Sequence, residues 1–332
     1  MTERPTLLVL RALGLGDLLT GVPALRALRR HHPGHELVLA APARLAPALA
    51  ATGTADRLLA TDAPGREVPH RLPWDGPPPD LAVDLHGNGP ASRDALARLR
   101  PARLIAYADV GAPRWRDDEH ERERWCRLLR HHGIGADAGD LLIARPAVPS
   151  PAPGAVLVHP GADAAARQWP PDRFAAVARA LRGHGHRVVV TAGRSERALA
   201  EGVAREAGLP SGDVLGGGTD LPFPLLAALV AEARAVVCGD TGIAHLAAAL
   251  GTPSVTLFGP VSPVLWGPPA VPRHLALWRH HGEETRPGDA HGPRPDPRLL
   301  RIRPADVLAA LAELPLPPPV PPPGYGAPVQ PT

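Results

Sequence analysis

Lysine is absent from the 332 residues, so every Lys+Arg position, 36 in all, is an arginine. That removes the phosphate-gripping lysine of a P-loop from consideration. With 44 prolines and abundant alanine and glycine alongside, the arginines reflect compositional bias, and the net charge is only +3. Aromatic residues amount to 3%, so any core must be built from Ala, Leu and Val, and no arginine cluster interleaved with aromatics marks a nucleic-acid surface. The two cysteines, Cys126 and Cys238, lie far apart and read as small buried hydrophobes in a reducing compartment. Asp-x-Asp, Gly-x-Ser-x-Gly and Cys/His sets at ligand spacing are all missing, so neither a metal, a cofactor nor a serine nucleophile is expected. No apolar run approaches the ~20 residues of a membrane-spanning helix, and the first strand begins without a signal-peptide pattern. The expected location is the cytoplasm, peripheral contact with a membrane face being compatible with it.

What the chain does contain is a regular alternation of apolar strands and amphipathic helices, the pattern of parallel sheets covered on both faces. In the first half, strands are expected at Thr6–Arg11, Glu36–Ala41, Asp80–Leu85 and Ala102–Tyr107. Helices are expected at Leu18–His31, Arg44–Ala51, Ala91–Leu99 and Asp118–His132. A proline-rich break, Pro146–Pro153, precedes strands at Ala155–His159, Arg187–Ala192, Ala235–Cys238, Ser254–Phe258 and His274–Trp278. Their helices fit Pro171–Arg182, Glu196–Ala207, Pro222–Glu232, Ile243–Leu250 and Pro304–Leu314. This divides the chain into α/β domains at residues 1–147 and 154–314, with a proline-rich tail over 315–332. Two such domains imply a cleft, with ligands at the carboxyl ends of the strands.

Three segments carry chemistry. In Cys238–Pro260, Asp240, Thr241 and Gly242 join a buried strand to an apolar helix, whose start offers free N–H groups and the positive dipole end. His245 falls one turn later, on the same rim. In Arg11–Leu28, Gly14 and Gly16 loosen a loop before Asp17, but Leu19 stands where a dinucleotide fingerprint needs its third glycine. Asp17 is then either a helix cap or a base facing the cleft. In Val156–Leu181, a strand runs into His159-Pro160-Gly161, and Arg167 follows in a small-residue loop. It is either a solvated arginine or a partner for a diphosphate.

These blocks, Arg11…LGDLLTGVPAL, HPGA…RQWP and GDTGIAHLAAALGTPSVTLFGP, resemble glycosyltransferase family 9, the heptosyltransferase-like enzymes of the GT-B fold. DLAVDLHG (Asp80–Gly87) and the helix around His120–Leu129 also resemble that family, and the likeness covers most of residues 6–314. It implies two Rossmann-like domains and metal-independent, inverting transfer of a sugar from a nucleotide-diphosphate donor, ADP-heptose-like, to a glycan, glycolipid or small-molecule hydroxyl. Asp17 matches the catalytic carboxylate. Asp240, Thr241, Gly242 and His245 match the donor-binding DTG-x-x-H, Arg167 replaces a phosphate-binding lysine, and Leu221 matches an apolar position against the nucleobase. Gly161 and Glu196 fall on the donor side, with Arg194 in the slot of a ribose-binding acid and Glu196 offset from it. Arg11 and Gly16 match the acceptor or phosphate side. The alternatives are a nucleotide-sugar-binding protein without turnover and a GT-B-like nucleotide-sugar epimerase.

Overall fold

The computed structural model describes residues 4–63, 67–282 and 287–316. Most of the expected proline-rich tail lies outside the described residues.

The first half runs β1 (Thr6–Leu10), α1 (Leu15–His31), β2 (Glu36–Ala41), α2 (Ala46–Thr52), β3 (Arg57–Ala60), β4 (Leu81–Asp84), α3 (Pro90–Ala97), β5 (Arg103–Ile105) and α4 (Glu121–His131). Its five strands form one sheet in the order β3-β2-β1-β4-β5, every pair parallel. The central strand TLLVL is apolar throughout because both faces are covered. The order reverses direction at β1, so the loop after β1 opens into the crevice where such sheets hold ligands.

The second half continues with β6 (Val156–His159), α5 (Pro171–Gly183), β7 (Val188–Ala192), α6 (Arg197–Ala207), β8 (Val214–Gly216), α7 (Phe223–Ala231), β9 (Ala235–Gly239), α8 (Gly242–Leu250), β10 (Ser254–Phe258), α9 (Pro263–Trp266), β11 (His274–Trp278), α10 (Pro297–Leu300) and α11 (Pro304–Glu313). Its sheet is six-stranded and parallel, in the order β11-β10-β9-β6-β7-β8. Cys126 and Cys238 are free and buried, and burial pushes both thiols up to about 12.

Helix α1 joins the halves. On one side it packs Leu18, Leu25 and Leu28 into the core of its own sheet together with Trp125, Leu128 and Leu129 of α4. On the other, its Leu19 and Val22 share a buried cluster with Ile243, Leu246 and Leu250 of α8. Apolar burial at ~25 cal/mol per Å² therefore fixes α1 and α8 side by side across the cleft.

Candidate active site between two helix starts

The starts of α1 and α8 meet. A Cβ on Gly16 would lie 2.7 Å from His245 Cδ2, and one on Gly242 would lie 3.4 Å from Leu15 Cβ. Glycine at both positions lets the helix ends approach to within a side chain's thickness, and both positive ends face one cavity of about 480 Å³.

From the first half, Gly14 to Asp17 line that cavity; from the second come Arg167, Asp240, Thr241, Gly242 and His245. Helix α1 begins earlier than expected, at Leu15, so Asp17 is its third residue and not its cap. The Gly14 N–H donates to Asp17 Oδ2 at 3.0 Å, and the residue is only 4% exposed. Arg167 ends a short 3₁₀ turn, Ala165–Arg167, where Nη1 donates to the Asp240 carbonyl at 3.3 Å and Nη2 lies 3.6 Å from Asp163. His245 Nε2 is 3.9 Å from Asp240 Oδ1, and its ring meets Trp266 edge-on at 6.0 Å. Burial drives His245 down to about 4, against the opposing pull of Asp17, so its imidazole is neutral at neutral pH.

A second cavity of about 340 Å³ adjoins the first, sharing Leu15, Arg44, Thr241 and Gly242. Leu45, Ala48, Leu221, Phe223 and Leu226 give it apolar walls, and His159, Glu196 and Asp220 give it a polar end. It suits a flat, partly polar group. Glu196 Oε2 accepts from the Gly193 N–H at 2.7 Å and lies 3.9 Å from His159 Nε2. Gly161 lines neither cavity. A Cβ there would fall 2.1 Å from the Glu196 carboxylate, so this glycine makes room for that side chain. Arg194 does not fill the acid's slot: its side chain is 75% exposed and pairs with Asp220 at the rim, while Glu196 points inward.

Arg11 does not face the cavity either. Only 1% exposed, it sends Nε to the Asp17 carbonyl at 2.5 Å, Nη1 to the Leu85 carbonyl, and Nη2 to Thr20 Oγ1 and Glu121 Oε1. It is an internal brace, not a contact for a bound phosphate. Sequence reasoning missed its partner Glu121, the rim residues Arg44 and Asp220, and Trp266. It also missed a bridge between the halves, in which His120 Nε2 and Arg122 Nη1 both meet the Gly267 carbonyl, at 3.0 and 3.2 Å. Among the described residues no group of three or more His, Cys, Asp or Glu is arranged to hold a metal ion. No described helix is long and apolar enough to cross a membrane.

The family model for glycosyltransferase family 9 (heptosyltransferase) matches residues 125–287, a span that holds Arg167 and the whole start of α8. The chain is similar to the heptosyltransferases of glycosyltransferase family 9. It is 31% identical over 194 residues to lipopolysaccharide heptosyltransferase 3 of Escherichia coli, a match covering 58% of this chain and 51% of that protein. It thus spans about half the length of the curated relatives it matches. The solved structure of E. coli ADP-heptose lipopolysaccharide heptosyltransferase II superposes with a TM-score of 0.68 at 21% identity, covering 92% of this chain and 97% of that one. A family 9 glycosyltransferase from Veillonella parvula superposes at 0.71 with 16% identity, covering 94% and 98%. The two-sheet architecture is accordingly the GT-B fold of these heptosyltransferase-like structures.

Proposed function

We propose that the protein is an enzyme that transfers a sugar, a heptose by its kinship, from a nucleotide-diphosphate donor to an acceptor hydroxyl, without a metal ion and with inversion. One observation carries the reading: a single cavity sets the Asp17 carboxylate of the first half opposite Arg167 and the Asp240–His245 helix start of the second. In this reading residues 1–147 hold the acceptor and 154–314 the donor. The apolar slot beside Leu221 takes the nucleobase, and Glu196 and His159 take the ribose.

Asp17 accepts the proton of the acceptor hydroxyl as its oxygen forms the bond to the anomeric carbon. The bond from that carbon to the diphosphate breaks on the opposite face, and the configuration inverts. The leaving oxygen's charge is met by the Arg167 guanidinium and the N–H groups at the start of α8, which take the place a divalent cation holds in other transferases. His245, neutral, gives the diphosphate a donor without competing with Asp17 for the proton. The E. coli relative is described as an ADP-heptose enzyme, which makes ADP-heptose the first donor to try.

The deciding experiment is Asp17→Asn. The amide oxygen still accepts from the Gly14 N–H, so melting temperature and donor affinity should hold while transfer slows roughly 10²–10⁴-fold, the contribution of a positioned base. The assays belong in excess EDTA, where the parent should keep its rate. Near-parental transfer by the Asn variant removes the base, and loss of parental activity in chelator removes the metal-free reading.

A further inference from the structure

Behind Asp17, out of reach of the cavity, lies a buried ionic cluster drawn from three elements. Arg11 follows β1, Asp17 and Thr20 belong to α1, and Glu121 and Arg124 belong to the first turn of α4. Glu121, 5% exposed, is its hub. Its Oε1 accepts from Arg11 Nη2 at 3.0 Å and from Trp125 Nε1 at 2.7 Å, and its Oε2 accepts from Arg124 Nη1. The Arg11 guanidinium also lies over the Trp125 ring, 5.2 Å from its centroid. Room for the arginine comes from Gly21, where a Cβ would fall 3.0 Å from Arg11 Cδ.

This hub settles a competition. Arg11 Nη2 is 3.0 Å from Glu121 Oε1 but 4.0 Å from Asp17 Oδ1, so the guanidinium hydrogen-bonds Glu121 and pairs with Asp17 only at longer range. We propose that Glu121 is a positioning residue for the transfer. By engaging Arg11 it keeps that cation from tightening its long-range pair with Asp17 into a direct, hydrogen-bonded one, and so preserves the Asp17 carboxylate's capacity to take a proton. The inference rests on Asp17 being the base. A carboxylate locked in a direct pair with arginine is a poor proton acceptor, because the pair stabilises the ionised form.

Other charged groups share the cavity or the field with Asp17, among them Arg44, Asp163, Asp220 and His291 on the cavity wall. From α8 and its approach come the neutral His245 and, behind it, Asp240; from the 3₁₀ turn comes Arg167, across the cavity. From β4, Asp84 feels Arg11. Arg122 and His120 of α4 reach His245 through the field rather than by contact. The balance between Arg11 and Asp17 is therefore in Glu121's hands.

Glu121→Gln removes the competing charge and keeps the shape. Arg11 then has Asp17 as its nearest carboxylate, and the lost negative charge acts on Asp17 in the same direction. The Asp17 carboxyl should therefore titrate about one pH unit lower as the 4.0 Å pair closes to direct contact, the low end of the roughly 1–3 pH units by which an adjacent arginine lowers an aspartate. The readout is carbon-13 NMR of protein labelled at the aspartate carboxyl, with the Asp17 signal assigned by its loss in Asp17→Asn. If Glu121→Gln does not fold, Glu121→Asp retracts the carboxylate from Arg11 by one methylene and should move the titration the same way by a smaller amount. An Asp17 titration unchanged or raised in the folded variants overturns the proposal. Transfer by Glu121→Gln should fall about three- to tenfold, with the acid limb of its pH profile displaced downward. Should Asp17→Asn transfer at the parental rate, it is the base that fails, and the titration distinguishes that result from a failure of the Glu121 tuning.

Discussion

Gly16 is where the starts of α1 and α8 meet, and its missing side chain has a calculable consequence. A methyl group there would sit 2.7 Å from a His245 ring that is 8% exposed and walled by Trp266. The ring has nowhere to retreat, so Gly16→Ala must displace α8 from α1 or turn the imidazole out of the site. Overpacking of this kind costs about 1–3 kcal/mol, and a shift of about 1 Å between reacting groups costs up to ~10² in rate. Gly16→Ala should therefore melt lower than the parent and lose transfer out of proportion to donor affinity. Parental melting and parental rate together would mean that the helix ends are looser than their packing implies. At this scale the sequence reveals types but not burial. Asp17, Arg167 and the Asp240–His245 run were legible because polar residues at strand ends and helix starts have few other reasons to be there. Arg11 was not, because the same position is a phosphate contact if exposed and a brace if buried, and its partner Glu121 lies 110 positions away.

At the scale of elements, the proposed diphosphate subsite belongs to α8 and the 3₁₀ turn together. Their contact is backbone-tight: a Cβ on Gly239 would lie 3.1 Å from the Arg167 carbonyl, so the turn carrying the guanidinium rides directly on the end of β9. Arg167→Ala leaves that backbone seat intact and removes only the charge. Calorimetric titration with ADP should show affinity weakened by about 1.5–3 kcal/mol, the range for a hydrogen bond to a charged group, with the melting temperature nearly unchanged. Unchanged affinity would move the diphosphate elsewhere in the cavity. The elements themselves were largely legible: Glu36–Ala41, Ser254–Phe258 and His274–Trp278 stand where the apolar runs place them. Both strands that escaped notice, β3 and β8, are edge strands of three or four residues with mostly exposed or half-buried side chains. At three or four residues these two are too short to show the apolar run that marked His274–Trp278, also an edge strand, so their pairing is dictated by the neighbouring strand and not by their own pattern.

Over the whole molecule, three histidines are held neutral by burial, two of them at the junction of the halves, and this sets its response to acid. His245 lies between α8 and α1, His120 joins α4 to the Gly267 carbonyl, and His274 meets Ser254 Oγ at 2.9 Å at the foot of the second sheet. Burial is the leading cause that takes each of the three down to about 4. In the unfolded chain the same side chains titrate near 6.5, so each takes up its proton more readily unfolded than folded. Above about pH 7.5 neither state is appreciably protonated and these groups add no pH dependence. Between 6.5 and about 4 the unfolded state binds more protons, so stability falls as pH falls, by at most about 3 kcal/mol for each histidine at the bottom of that window. Asp84 works in the opposite sense. Burial raises it from 3.8 to about 6, so the folded state bears a cost above pH 6 that is relieved as the carboxyl protonates. The three histidines, with His32, His132, His159 and His186 shifted down in the same direction by burial, outweigh Asp84 and leave acid destabilisation dominant, and it is large beside the roughly 5–15 kcal/mol that typically separates folded from unfolded protein. The urea midpoint followed by circular dichroism should therefore be flat above about pH 7.5, begin to fall towards 6.5 and fall steeply between 6.5 and 4.5. His274→Gln, remote from the cavity, should flatten that fall without changing donor affinity at pH 7.5. A midpoint that stays level down to pH 4.5 in the parent would show that these imidazoles are already charged in the fold, and His245 could then no longer serve as the neutral donor beside Asp17.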